Sequence, residues 1–139
     1  MDRYIDRLQC LQKEFKAIKT KKANKWQFKP HQQAIYDFVM QSKPSTTFTI
    51  NDYSVTIRRG NRYFGFEHIL LRHYCKGCDG EITAKDILNI GYVIQNNITI
   101  PSKKKGRINF IQTKENEKYT VVLTEQKPND LIFTFFSSR

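Results

Sequence analysis

Apolar residues recur with a helical period at the start of the chain and with a period of two towards its end. Tyr4, Leu8, Leu11, Phe15 and Ile18 are spaced by three or four residues with Lys and Arg between them, which predicts an amphipathic helix over 3–21. A charged break, Lys19 to Lys25, follows. Pro30 opens a second helix to about Gln41, with Ala34, Ile35, Phe38 and Val39 inward. Thr47-Phe48-Thr49-Ile50 and Tyr53 to Arg58 then alternate on either side of Asn51-Asp52, the pattern of a β-hairpin. Helical spacing returns at 66–75. It returns again from Ala84, behind a Thr83 cap, to about Gln95, with Ile87, Leu88, Tyr92 and Val93 inward. Four alternating runs complete the chain, at Ile98–Ile100, Arg107–Thr113, Lys118–Glu125 and Leu131–Ser137, the last entered through a Lys127–Asp130 turn. The expected fold class is α+β: N-terminal helices, a β-hairpin, then two helices packed on a four-stranded antiparallel sheet. Residues 1–60 read as an accessory segment of helices and hairpin, and residues 61–139 as the domain that carries the chemistry.

Composition narrows this picture. The 139 residues are 39% hydrophobic and 13% aromatic, enough for one ordinary core. No apolar run approaches the roughly 20 residues of a membrane helix, and Met1-Asp2-Arg3-Tyr4 lacks the apolar stretch of a signal peptide. The expectation is a soluble chain that acts in the cytoplasm. A domain delivered from another cell as part of a larger toxin would look the same. Cys10, Cys75 and Cys78 are too few, and odd in number, for a disulfide framework, so a reducing site of action fits better.

Charge suggests the partner. The formal net charge is +11, from 24 Lys and Arg against 13 acids. Residues 1–29 hold nine bases and three acids, and residues 101–139 hold eight and four. Residues 61–100 balance at four each and contain two of the three histidines. Basic blocks flanking a neutral, His-bearing middle fit a polyanion, of which RNA is the commonest in cytoplasm. Lys103-Lys104-Lys105-Gly106-Arg107 forms a basic hairpin loop suited to phosphate contact, and Lys118 extends it; a solvated loop is the ordinary alternative.

The segment Gly65-Phe66-Glu67-His68-Ile69-Leu70-Leu71-Arg72-His73-Tyr74 concentrates the chemistry. On a helix, His68 and Arg72 would lie about 40° apart on one face. His73 would fall among the apolar residues, on a different face from His68. A packed His73 and a solvated His68 would be unremarkable taken singly. Together, beside an arginine and ahead of a basic sheet, they suggest metal-free RNA cleavage. That reaction needs a base for the 2′-OH, an acid for the leaving 5′-oxygen, and cations or hydroxyls around the phosphorane. Imidazole suits either proton role. Arg72, Arg107 or Lys105 would hold the phosphate, and Thr134, Ser137 or Ser138 would donate to its oxygens. Strict alternation on the last strand places Leu131, Phe133, Phe135 and Ser137 on one side and Ile132, Thr134, Phe136 and Ser138 on the other. Cys75-Lys76-Gly77-Cys78 behind His73 is half of a zinc site, but a structural site needs four ligands and no second pair exists.

The segment from Gly65 to His73, followed by an antiparallel sheet ending in a hydroxyl-bearing strand, resembles the barnase–EndoU–colicin–RelE class of nucleases, in its phage and polymorphic-toxin branches. The resemblance covers about residues 62–139. It implies catalytic roles for His68, Arg72, His73, Arg107, Thr134 and Ser137. Arg72 stands where a Lys is common, and the Cys75–Cys78 loop departs from the pattern. It further implies a metal-independent endoribonuclease toxin without cofactors, acting on single-stranded or tRNA-like RNA, with an acidic antitoxin or immunity protein as partner. The competing readings are a non-catalytic basic nucleic-acid-binding module and a phage-encoded protein-interaction domain.

Overall fold

A computed structural model of the chain describes residues 3–22, 28–125 and 129–138. The first four residues of the charged break, Lys19–Lys22, continue the first helix, while residues 23–25, with Lys127 and Pro128 of the last turn, lie outside the described residues. Helix α1 (Arg3–Lys22) and helix α2 (Pro30–Met40) lead into strands β1 (Ser45–Ile50) and β2 (Tyr53–Arg58). Helices α3 (Gly65–Arg72), α4 (Ala84–Leu88) and α5 (Ile90–Gln95) follow. Strands β3 (Ile98–Pro101), β4 (Arg107–Lys114), β5 (Glu117–Thr124) and β6 (Asp130–Ser138) complete the order.

The helical stripes are buried as their spacing requires. Tyr4, Leu8, Leu11 and Phe15 of α1 are buried, as are Ile35, Phe38 and Val39 of α2. Phe66, Ile69 and Leu70 of α3 are fully buried, each contributing roughly 1.5–3 kcal/mol relative to exposure. Phe66 lies edge-on to both Tyr4 and Phe38, so α3 is held between the first two helices. Arg7 of α1 donates to the carbonyls of Leu70 and Leu71 at 2.6 and 2.7 Å, two of the acceptors that the end of α3 leaves open. Thr83 caps α4 as expected, accepting from the Asp86 N–H at 3.2 Å while the Asp86 carboxylate accepts from the Thr83 N–H at 2.9 Å. The single helix expected over Ala84–Gln95 is two. Asn89 leaves helical geometry (φ −102°, ψ 17°), and its side chain accepts a 2.7 Å bond from Gln32 of α2.

The expected sheet needs correction. Among the described residues the strands form one six-stranded mixed sheet, in the order β1-β2-β6-β5-β4-β3, rather than a four-stranded antiparallel one. The hairpin is not a separate unit, because β2 runs parallel to β6 through Val55–Asp130 and Thr56–Leu131. Phe48, Ile50, Val55 and Ile57 give the hairpin an apolar face that must be covered. Joining the edge of the larger sheet puts that face in the same buried cluster as Phe110, Val121, Leu123, Ile132 and Phe135. Alternation predicts each strand and its inward face but carries no information about which strand lies next to which. Three short helices, not two, follow the hairpin.

A β-bulge alters the last strand. Val122 pairs with Thr134 but Leu123 pairs with Ile132, so Phe133 is the extra residue. Ile132 therefore shares the helix-covered face with Phe135, and Leu131 moves to the other. The strict alternation expected from 131 to 138 holds only beyond the bulge.

Candidate active site

The parallel pairing of β2 with β6 spans two residues, and the rest of that flank of β6 is left to α3 and the loop after it. The loop closes on the strand through Ser137 N–H to the Gly80 carbonyl at 3.2 Å. This places the end of α3 beside the sheet face turned away from the other helices.

Helix α3 ends at Arg72, three residues earlier than its spacing suggests. His73 is its C-cap, with φ −124° and ψ −20°. The helical wheel therefore does not apply to His73, and the two histidines come together. Their ring centroids are 5.5 Å apart and their planes nearly perpendicular. Each ring is fixed by a backbone carbonyl. His68 Nδ1 lies 2.9 Å from the Arg62 carbonyl, and His73 Nδ1 lies 2.8 Å from the Asp79 carbonyl. A carbonyl only accepts, so both Nδ1 atoms carry the hydrogen, and both Nε2 atoms are left for a substrate. Both imidazoles are half-buried. Burial pushes the His73 pKa below the usual imidazole value, the nearby His68 and Arg72 charges push the same way, and the hydrogen bond to Asp79 opposes them.

Strand pairing identifies what shares this face. Asn109, Val122 and Thr134 form one cross-strand row, and Thr120 and Phe136 belong to the next. Phe136 packs on His73 with centroids 5.8 Å apart, which brings the imidazole to the strand of Thr134. Thr134 is 8% exposed, and its Oγ1 makes no hydrogen bond; neither does Asn109 Oδ1 in the same row. Arg107 lies two residues before Asn109 on the same face. Its guanidinium stacks 3.9 Å over the Phe133 ring, and Phe64 stacks on Phe133 in turn. Lys118 is exposed on this face opposite Ser138, and Lys103, Lys104 and Lys105 are exposed in the β3–β4 loop.

Of the expected residues, His68, His73, Arg107 and Thr134 therefore lie on or beside one face. Ser137 does not. It pairs with Tyr119, on the side of Phe135, and its hydroxyl donates to the Glu81 carbonyl at 2.5 Å. Arg72 is exposed and reaches His73 through its charge. Cys75 and Cys78, expected to be reduced or half of a zinc site, are joined as a disulfide, and Cys10 is free and exposed. Asn109 was not expected here; its spacing of two from Arg107 on an alternating strand is the signal that points to it. No described helix is long and apolar enough to cross a membrane. The chain matches no family model and no curated protein.

Proposed function

We propose that this chain is an endoribonuclease that cleaves RNA by 2′-OH transesterification, with acid and base both supplied by histidine. The observation that carries the reading is the His68–His73 pair, two near-perpendicular imidazoles with both Nδ1 atoms committed to carbonyls. In this reading His73, whose pKa burial lowers, removes the 2′-OH proton through Nε2. O2′ attacks phosphorus, the bond from phosphorus to O5′ breaks, and protonated His68 gives its proton to O5′. The products are a 2′,3′-cyclic phosphate and a 5′-hydroxyl. Arg107 and Thr134 face the phosphate, and Lys103, Lys104, Lys105 and Lys118 extend the path of the strand. Acid, base and charge all come from side chains, so the reaction is proposed to run without divalent metal. The barnase–EndoU–colicin–RelE resemblance, an action on cytoplasmic RNA, and neutralisation by an acidic antitoxin or immunity protein belong to the same proposal.

Incubation of the protein with total RNA and with tRNA in EDTA tests it. Fragments ending in 2′,3′-cyclic phosphate are expected; intact RNA at micromolar protein overturns it. The Arg107–Phe133 stack favours a second reading, a module that binds nucleic acid without cutting it. That reading predicts salt-sensitive binding that survives substitution of both histidines.

A further inference from the structure

The loop that leaves α3 returns to the site that α3 builds. His73 is followed two residues later by Cys75, whose disulfide to Cys78 closes the turn. The next residue, Asp79, supplies the carbonyl that holds His73 Nδ1. The bridge and this hydrogen bond therefore close a small ring running from His73 through Cys75 and Cys78 back to the imidazole. Gly80 then passes between His73 and the last strand. At φ +67°, a Cβ there would stand 2.8 Å from His73 Nδ1 and 2.9 Å from Phe136 Cβ. Ser137 completes the clasp, donating its N–H to Gly80 and its hydroxyl to Glu81. A second tie runs from Gly77 N–H to the Glu81 carboxylate at 2.8 Å.

We infer that Cys75–Cys78 is a thiol–disulfide modification site whose state sets the orientation of His73, with dithiols as the reductant class. The bridge is open to reagent from two sides. Cys75 lines a cavity of about 480 Å³ that also holds the free thiol of Cys10, and Cys78 lines another of about 410 Å³. A dithiol thiolate attacks one bridge sulfur and breaks the S–S bond. Its second thiol then displaces the mixed disulfide, leaving two protonated cysteines and the reductant's own disulfide. Two electrons and two protons pass to the protein. A single four-residue bridge in a chain without other disulfides among its described residues fits redox sensing better than structural stapling. Reduction leaves the Asp79 carbonyl held only by loop hydrogen bonds, so the Nδ1–H tautomer of His73 loses its anchor. His68, Arg72 and Asp79 are the charged or titratable groups around that ring.

The activity arm of the test rests on the nuclease reading; the spectroscopic arm does not. The full chain is equilibrated with oxidised and with reduced dithiothreitol. Thiol titration should count one reactive thiol in the first state and three in the second. Nitrogen-15 NMR of the histidine rings should find His73 as the Nδ1–H tautomer with a depressed pKa when oxidised. On reduction it should find a tautomer mixture and a pKa shifted further down, because the hydrogen bond to Asp79 is the contact that raises it. RNA cleavage should fall on the order of 10- to 100-fold on reduction, the scale of a misplaced catalytic group. The Cys75→Ser/Cys78→Ser double variant should resemble the reduced protein and ignore the reagent. Three thiols with an unchanged His73 tautomer and pKa overturn the inference, as do three thiols under the oxidised reagent. No cleavage in either state, with the His73 change present, sinks the nuclease reading and leaves the switch standing.

Discussion

His31 and His73 both have pKa values lowered first of all by burial, yet their surroundings differ in the one respect that matters for chemistry. His31, at the start of α2, is 6% exposed, and its Nδ1 has no hydrogen-bond partner. Its ring lies edge-on to Tyr92 at 4.7 Å and presses on Gly91, where a Cβ would stand 2.3 Å from Nδ1. It works as an aromatic packing element, and nearby Lys29 further disfavours its charge. His73 is half-buried, tied at Nδ1, and lies beside a second imidazole and against Phe136 of the strand that carries Thr134. A lowered pKa alone does not distinguish packing from catalysis. A committed Nδ1 beside a second such ring is what the proposed cleavage uses and what His31 lacks.

The comparison breaks or holds on measurements of cleavage, stability and binding. The largest effect should come from His73→Ala and His68→Ala, each lowering RNA cleavage roughly 100-fold or more, the scale of a lost proton-transfer group, while melting temperature changes little. His31→Phe should leave cleavage near wild type; a loss comparable to that of His73→Ala would erase the distinction. Gly91→Ala should do the opposite, destabilising by about 1–3 kcal/mol through overpacking against the His31 ring, read as a lower denaturation midpoint.

The pH dependence of stability comes next. For both histidines the folded pKa lies below the unfolded value of about 6.5, so the unfolded chain binds the proton more readily. Their contribution is fully present above pH 6.5 and declines as pH falls below it. Melting temperature should drop in that window, and His31→Phe should reduce the drop. The same sign puts the base limb of the cleavage pH profile below pH 6.5; a limb above 6.5 would count against His73 as the base. The smallest effect should be that of Arg107→Ala on binding, which should lower the salt slope of RNA affinity by about one.

Much of the fold was legible in the spacing of apolar residues, because each helix or strand must bury one side and the period of that side is local. The stripe Tyr4, Leu8, Leu11, Phe15, the Thr83 cap and the strand segments follow from this, to within a residue or two at their ends. The basic blocks at 1–29 and 101–139, and the placing of two histidines next to an arginine, were also set by the sequence alone. Tertiary structure decided the rest. It put β2 parallel to β6, since alternation names a strand's face and not its neighbour. It moved Phe133 beneath Arg107 through a one-residue bulge, which a period of two cannot anticipate. It bound the Ser137 hydroxyl into the loop backbone. Above all it ended α3 at Arg72, where Arg7 and the Asp79 carbonyl meet its last turn. Those contacts come from residues distant in sequence or outside the helix, and they bring His73 to His68.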